Sequence, residues 1–339
     1  MIIRTRVYPR AGLVGNPSDG YYGKTIAFVF RNFHAEVVLY ESPELEILPN
    51  ERDHSVFSGV RGLVEDVRSF GYYGGIRLLK ATVKRFYEYA AANRIPLDDR
   101  NFSIRYSTNI PHHVGLAGSS AIITACLRAL LAFYRASIPN PLLANLALSV
   151  EKEELGISAG LQDRVVQACE GLVYMDFNKA IMERQGYGHY EALSPRLLPP
   201  LYIAYRTDLA EGSEVFHGNL RHRFEQGEKA VVNAMRYWAR LTDRVRGALL
   251  RGDKEAVGPL LDANFDRRRR LYRISEGNLR MVELARSAGA SAKFTGSGGA
   301  IVGVYRDEKM YARLKKTLRR EGIRVFKPVV TAPPRKDKS

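Results

Sequence analysis

The segment Thr108-Asn-Ile-Pro-His-His-Val-Gly-Leu-Ala-Gly-Ser-Ser-Ala121 joins two contrasting stretches, the alternating run Phe102 to Tyr106 and the apolar run Ala121 to Tyr134. The alternation predicts a strand and the apolar run predicts a buried helix. The glycines let a ligand approach the backbone, and the serines fall where helix amides and the helix dipole attract anions. The segment therefore predicts a phosphate-binding turn, with a tight turn and a serine N-cap as the alternative. It is not a Walker A loop, because no Gly-Lys-Ser/Thr is present.

Periodicity on either side of this segment indicates the fold class. Runs rich in β-branched and aromatic residues predict further strands at Ile26 to Phe30, Glu36 to Tyr40 and Ala300 to Tyr305. Helical spacing covers Ile76 to Ala92, Pro141 to Leu155 and almost all of Glu225 to Arg286. Strands and helices do not alternate regularly, so the expected class is α+β rather than a doubly wound βαβ sheet.

The length of the chain indicates two domains. Its 339 residues leave room for two cores, which we expect to be separate. Three prolines in Leu193 to Pro200 mark the boundary, since proline interrupts helices and central strands. We expect an N-terminal domain over 1–196, a C-terminal domain over 197–330 and a disordered tail over 331–339.

Composition excludes several classes of protein. Apolar residues make up 45% and charged residues 26%, as in a soluble globular protein. The longest apolar run is broken by Arg128 and is too short to span a membrane, and the start lacks the pattern of a signal peptide, so we expect a cytoplasmic location. Cys126 and Cys169 form neither a disulfide framework nor a CxxC metal site. The net charge of +16 favours anionic ligands or simply a solubilising surface.

Three other segments carry residues suited to chemistry. Lys293 to Ala300 is a second Gly-rich turn, although a hairpin or bulge uses the same residues. In Glu151 to Arg164, Asp163 could activate a hydroxyl and a glutamate could hold Mg²⁺; a charge run with a structural ion pair is the alternative. The loop Tyr8 to Gly23 suits sugar hydroxyls or is a plain loop. The tetrad Arg267 to Arg270 could grip an anion or form a solvated helix face.

Taken in order, three of these segments resemble the motifs of the GHMP kinase superfamily, named for galactokinase, homoserine kinase, mevalonate kinase and phosphomevalonate kinase. They are Arg10 to Asp19, Pro111 to Ala121 and Lys293 to Ala300. The resemblance implies a ribosomal protein S5 domain 2-like N-terminal domain and a ferredoxin-like C-terminal domain. It implies ATP as phosphoryl donor and Mg²⁺ as cofactor. The implied ATP-binding residues are Pro111, Gly115, Leu116, Ala117, Gly118, Ser119, Ser120 and Ala121.

Longer stretches resemble the glucuronokinases in particular, among them Gly15 to Asp19, Gly71 to Leu79 and Ala159 to Arg164. The implied reaction transfers the γ-phosphoryl group of ATP to the anomeric hydroxyl of D-glucuronate. Asp163 matches the catalytic carboxylate and Arg10 the neighbouring cation. The implied metal ligands are Glu151, with Glu154 as its competitor, and either Ser119 or Ser120. The implied substrate-binding residues are Asn16, Ser18, Asp19, Tyr22, Arg164, Arg268, Thr295, Gly296, Ser297, Gly298 and Gly299.

A uronate carboxylate needs a fork-shaped cationic partner, for which Arg164, Arg268 and Arg77 are the candidates. Two other functions stay open. One is another sugar kinase of the superfamily, acting on galactose, arabinose, fucose or a heptose phosphate; the other is a non-catalytic RNA-binding relative. The expected partners are the sugar acid and ATP, without nucleic acid or membrane, in a monomer or homodimer.

Overall fold

The computed structural model describes residues 1–49, 74–209 and 220–333. The strands are β1 Ile2–Val7, β2 Arg10–Val14, β3 Lys24–Val29, β4 Ala35–Glu41, β5 Glu46–Ile47, β6 Phe102–Thr108, β7 Leu172–Asp176, β8 His189–Leu193, β9 Leu201–Tyr205, β10 Lys293–Phe294, β11 Ala300–Val304 and β12 Arg324–Phe326. The helices are α1 Gly75–Ala92, α2 Gly118–Phe133, α3 Asn140–Ser149, α4 Leu161–Cys169, α5 Lys179–Gln185, α6 Lys229–Leu250, α7 Val257–Leu271, α8 Glu276–Ser287 and α9 Glu308–Arg319.

These strands form three sheets, and two of them belong to the N-terminal half. One has the order β1-β4-β6-β5 and the other β2-β3-β7-β8. The third sheet, β10-β11-β9-β12, is antiparallel throughout. Counted from β12, it runs in the order fourth, first, third, second strand of its half, which is the ferredoxin-like arrangement. The α+β class and the two-domain fold are confirmed.

Helix α2 lies at the centre of the N-terminal half. It contacts β1 and β4 on one side and α1, α3 and α4 on the others, which is why its sequence is apolar all round. Arg128, which interrupts the apolar run, pairs with Glu170 at 2.7 Å and donates to the Gln167 carbonyl oxygen at 3.2 Å. No helix in the part of the chain that the structure describes could cross a membrane.

The hydrophobic interior does not divide into one core for each half, as we expected from length. The larger cluster extends from Val7 to Val302 and includes apolar residues of α6 and α7. A smaller cluster fills the space between the third sheet and helices α8 and α9. Helix α6 also contacts β3 directly. One continuous hydrophobic cluster therefore joins the two halves.

Several predicted boundaries change in the structure. The helix predicted over Pro141 to Leu155 ends at Ser149 and continues as a π-helical turn, Val150–Glu154. The helical block Glu225 to Arg286 resolves into α6, α7 and α8. Of the quoted stretch Gly71 to Leu79, residues 71–73 lie outside the described residues. Of the predicted tail, Pro333 lies against Gly171, and residues 334–339 lie outside the described part of the chain.

Candidate active site

The first motif and α4 meet in a bidentate ion pair. Arg10, the first residue of β2, donates from Nε to Asp163 Oδ1 at 2.5 Å and from Nη2 to Oδ2 at 2.8 Å. Asp163 lies in the first turn of α4, where the helix dipole favours a negative charge. Burial would raise the pKa of Asp163, but Arg10 and Arg164 outweigh it and hold the pKa below its ordinary value. The carboxylate is therefore ionised at neutral pH.

A second buried pair lies beside the first. Arg164 donates from Nε to Glu151 Oε2 at 2.5 Å, and its Nη2 contacts the same oxygen. Its Nη1 donates to the Gly160 carbonyl oxygen at 2.8 Å and lies 3.4 Å from Asp163 Oδ2. Glu154, the competing carboxylate, instead pairs with Lys84 at 2.7 Å, and its side chain is 23% exposed. Of the two glutamates, Glu151 therefore belongs to the network around Asp163.

The turn before α2 has the form of an open helix N-terminus. The N-cap is Ala117, in the left-handed region with φ 62°, and no side chain caps the helix, so the serine N-cap alternative is wrong. Ser120 is buried and donates to the Ala117 carbonyl oxygen at 3.3 Å, whereas Ser119 is partly exposed. Amide groups in a first helical turn have no acceptor within the helix. The turn therefore suits an anion such as phosphate.

The Gly-rich turn between β10 and β11 packs against this helix entrance. A Cβ on Gly115 would lie 2.9 Å from the Gly298 carbonyl oxygen, so the two backbones meet closely. Thr295 is fully buried and donates to the Gly115 carbonyl oxygen at 3.2 Å. Arg10 also reaches the Gly115 carbonyl oxygen, at 2.5 Å. Thr295 therefore joins the two turns.

One arginine of the tetrad in α7 is buried. Arg268 is 2% exposed and donates to the carbonyl oxygens of Gly296 and Ser297, both at 2.8 Å. Its guanidinium group also lies 4.9 Å from the Phe294 ring centroid. Arg269 and Arg270 are exposed, as the helical repeat requires. Arg268 therefore supports the backbone of the β10–β11 turn.

The loop between β2 and β3 brings Asp19 toward the ion pairs. Asp19 Oδ2 accepts from the Gln162 amide at 3.4 Å, and a Cβ on Gly160 would lie only 2.2 Å from that oxygen. Burial and, to a smaller extent, repulsion by Asp163 raise the pKa of Asp19 to about 6. Ser18 is fully buried and donates to the Lys24 carbonyl oxygen at 3.0 Å, so it closes the loop. Tyr22 is 51% exposed.

The structure adds two polar residues that sequence reasoning missed. Lys293, 1% exposed, donates to the Gly12 carbonyl oxygen and to Asn16 Oδ1, both at 2.6 Å. Burial, followed by repulsion from Arg268 and Arg10, lowers its pKa well below the ordinary value. Gln162 has a buried Oε1 without a hydrogen-bond partner among the described residues, and its Nε2 lies 3.4 Å from Asp163 Oδ1. The sequence signal that could have identified Lys293 and Gln162 was their position beside two of the motifs.

Comparison with known proteins defines the class. The GHMP kinases N terminal domain matches residues 77–171, and the GHMP kinases C terminal domain matches residues 245–323. The fold also matches Lactococcus lactis galactokinase complexed with galactose, with a TM-score of 0.76 and 15% identity, covering 98% of this chain and 94% of that one. The chain belongs to the GHMP kinase family. Kinases of this family use ATP as the phosphoryl donor.

More similar sequences point to one branch of the family. The chain is 42% identical to probable glucuronokinase 2 of Arabidopsis thaliana, covering 98% of this chain and 93% of the relative. It is 41% identical to glucuronokinase 1 of the same plant, covering 98% and 92%. The heptose 7-phosphate kinase of Campylobacter jejuni is 25% identical, covering 94% of each chain.

Proposed function

We propose that the protein is an ATP-dependent sugar-1-kinase that phosphorylates the anomeric hydroxyl of D-glucuronate to give D-glucuronate 1-phosphate. The observation that carries the proposal is the Asp163–Arg10 pair, which links α4 to the strand before the β2–β3 loop and, through the Gly115 carbonyl oxygen, to the turn that precedes α2. The similarity to glucuronokinases over nearly the whole chain supports glucuronate as the acceptor.

Asp163 accepts the hydrogen bond of the anomeric hydroxyl and orients that oxygen toward the γ-phosphoryl group. Its lowered pKa keeps it ionised but makes it a weak base, so positioning of the nucleophile is its main contribution. Arg10 holds the carboxylate through two nitrogens and adds positive charge beside the transferring group. The hydroxyl proton passes to Asp163 as the new oxygen–phosphorus bond forms and the bond between the γ-phosphorus and the β,γ-bridging oxygen breaks, with ADP as the leaving group.

The phosphates of ATP bind at the start of α2. Backbone amides of Gly118, Ser119 and Ser120, in the first turn of the helix, face the ligand. The β10–β11 turn holds this entrance in place through the contact between Gly115 and Gly298. Pro111, Leu116 and Ala121 shape and support the same turn.

The residues present fit Mg²⁺. Arg164 contacts Glu151 through Oε2 alone, from both Nε and Nη2, so Oε1 of Glu151 and the hydroxyl of the partly exposed Ser119 would be the oxygen ligands. No cluster of three potential metal-ligating side chains exists among the described residues. Magnesium usually binds one or two carboxylates together with substrate phosphates rather than an all-protein cage. When bound, it would neutralise charge on the phosphates. We assign it to Glu151 and Ser119 rather than Glu154 and Ser120.

The sugar acid lies against the β2–β3 loop. Asp19 accepts from a ring hydroxyl, and Asn16, fixed through its Oδ1 by Lys293, presents its amide nitrogen. Ser18 and Thr295 support the loop and turn, since both side chains are fully buried. The backbone of Gly296 to Gly299 lies close to the substrate. The exposed side chain of Tyr22 forms the outer wall of the sugar site.

The test replaces Asp163 with asparagine and measures Mg-ATP consumption with D-glucuronate, D-galacturonate, D-glucose, D-galactose and L-arabinose. Asp163→Asn should lower kcat about 10²–10⁴-fold with the KM for ATP little changed, because it removes the group that positions the hydroxyl. Asp176→Asn is the matched control. Both carboxylates have side chains 17% exposed and paired with a cation, but Asp176 pairs with Lys24.

Glucuronate-dependent turnover lost in Asp163→Asn and kept in Asp176→Asn would support the proposal. Turnover of a neutral sugar alone would reject glucuronate as the acceptor. Binding of RNA without turnover of any sugar would favour the non-catalytic relative.

A further inference from the structure

The substrate carboxylate requires a cation that the reaction centre does not already use. This inference rests on the proposed function. Arg164 donates from its three guanidinium nitrogens to Glu151 and the Gly160 carbonyl oxygen. Arg268 is 2% exposed and holds the Gly296 and Ser297 carbonyl oxygens. Neither arginine offers an accessible fork.

Arg77, the third candidate from sequence, contacts a different segment of the chain. It donates to the Leu155 carbonyl oxygen at 3.1 Å. The cavity that it lines also contains Lys80, Lys84 and Glu154. This cavity adjoins the segment after the π-helical turn, whereas Asp19 belongs to the loop between β2 and β3.

Arg221 contacts that loop directly. It lies in a helical segment, residues 220–225, and its Nη2 donates to the Gly20 carbonyl oxygen at 3.3 Å. Its guanidinium carbon lies 5.6 Å from the Tyr21 ring centroid, and Nη1 lies 3.7 Å from a Glu225 oxygen. These polar contacts are long, and 49% of the side chain is exposed. The guanidinium fork is therefore accessible to a ligand.

The charges around the loop orient a uronate in one direction. Asp19 lies at one end of this loop, and the negative charge of Asp163 raises its pKa, as it would for another carboxylate placed at the same point. A substrate carboxylate placed there would be repelled. Gly20 follows Asp19 directly, and a Cβ on Gly20 would lie 3.8 Å from Arg221 Nη2. The sugar hydroxyls thus face the two aspartates and the substrate carboxylate faces the cation beside Gly20.

We propose that Arg221 binds the carboxylate of the sugar acid and determines the preference for a uronate over a neutral sugar. An arginine at this position offers two parallel N–H groups, which match a carboxylate better than an ammonium does. Tyr21 supports the guanidinium plane from one side.

Lys179 provides a matched control. Its Nζ lies 5.7 Å from the ring centroid of Tyr22, in the same loop, and its side chain is 62% exposed. It carries the same charge as Arg221 but contacts the loop three residues beyond Asp19. Long-range attraction of an anionic substrate would involve both cations, whereas direct binding requires Arg221.

The experiment compares D-glucuronate with D-glucuronamide, which has the same shape without the charge, in the wild-type protein and in Arg221→Gln, Arg221→Lys and Lys179→Gln. Arg221→Gln should lower kcat/KM for glucuronate about 100-fold, mostly through KM, and change the value for the amide less than threefold. Arg221→Lys should restore part of the loss. Lys179→Gln should change neither substrate by more than threefold. The KM for ATP and the thermal midpoint report whether each variant is folded.

An Arg221→Gln protein that keeps the wild-type ratio of glucuronate to glucuronamide overturns this inference and leaves the proposed reaction standing. Equal losses on both substrates, or a larger selective loss in Lys179→Gln, overturn it as well. A wild-type protein that phosphorylates neutral sugars but not glucuronate overturns both proposals.

Discussion

Asp163 and Asp19 are neighbouring carboxylates with opposite pKa shifts. Two guanidinium groups outweigh burial at Asp163 and lower its pKa. At Asp19 burial dominates, and the charge of Asp163 adds to it, so the pKa rises to about 6. Pairs of this kind divide one site into a fixed negative charge and a group that titrates near neutrality. We therefore assign the acid limb of activity to Asp19 rather than to Asp163.

We expect kcat/KM for the sugar to fall as pH decreases through about 6, approaching about tenfold per pH unit, because protonated Asp19 no longer accepts as an anion. In Asp19→Asn the absolute rate should be lower and this limb absent. Steady-state kinetics from pH 5 to 8 would measure both profiles. A wild-type profile that is flat between pH 5 and 7 would contradict the assignment.

Protonation of Asp19 does not cause the same loss of activity at low pH by unfolding the protein. The folded-state pKa of about 6 lies above the ordinary value of 3.8. Between these values the folded protein holds a proton that the unfolded chain releases, so the contribution of Asp19 to stability increases as pH falls through this window. Thermal midpoints measured at the same pH values separate the two effects.

The π-helical turn Val150–Glu154 determines which glutamate faces the site. Helical spacing predicted a helix through this stretch, but the wider turn changes the direction of the side chains that follow α3. Glu151 is 2% exposed, whereas Glu153 and Glu154 pair with Arg85 and Lys84 near the surface. The sequence supplies three carboxylates, and the turn selects one of them.

The contact between the two Gly-rich turns gives a test at the level of these elements. Gly115 and Gly186 both have positive φ, 65° and 79°. Replacement of either glycine by alanine should lower the free energy of unfolding by about 1 kcal/mol. In Gly115→Ala the new Cβ would also lie 2.9 Å from the Gly298 carbonyl oxygen, whereas the Cβ at Gly186 meets nothing within 4 Å among the described residues.

We expect Gly115→Ala to raise the KM for ATP at least tenfold and Gly186→Ala to leave it within twofold. Initial rates at varied ATP and urea unfolding midpoints would measure the two effects separately. Equal KM values in the two variants would show that the contact between the turns does not determine the ATP site.

Across the whole molecule, the two halves are joined at the site itself. The Gly12 amide donates to the Thr295 carbonyl oxygen at 2.9 Å, and Lys293 donates back to the Gly12 carbonyl oxygen at 2.6 Å. The larger hydrophobic cluster also spans both halves. Separation of the halves would expose this apolar surface and a buried lysine together.

The protein should therefore unfold in one calorimetric transition, with equal calorimetric and van't Hoff enthalpies. A fragment of residues 1–196 should lack a cooperative transition, because its part of the shared cluster loses its cover. Two resolved transitions in the full chain, or a cooperatively folded fragment, would show that the halves are independent domains.

Local sequence patterns predicted much of this fold. Alternation marked β6, apolar periodicity marked α2, and the Gly-rich turns fell at the two loops that now pack together. These patterns can be read from the sequence because the side-chain directions of a strand or a helix repeat every few residues. A positive φ favours glycine at a single position. The resemblance to GHMP kinases added the order of the motifs and the pairing expected for Arg10.

Pairings across long sequence separations came only from the tertiary structure. The sequence supplied Lys293 and Asn16, 277 positions apart, and Arg221 and Gly20, 201 positions apart, without a pattern that connects them. It also supplied arginines for the substrate carboxylate, and the fold buried two of them against carbonyl and carboxylate oxygens. Charge, burial and pKa depend on which groups the packed chain brings within a few ångströms. Residue type and spacing determine a local element, whereas the packing between elements determines which polar groups remain accessible to a ligand.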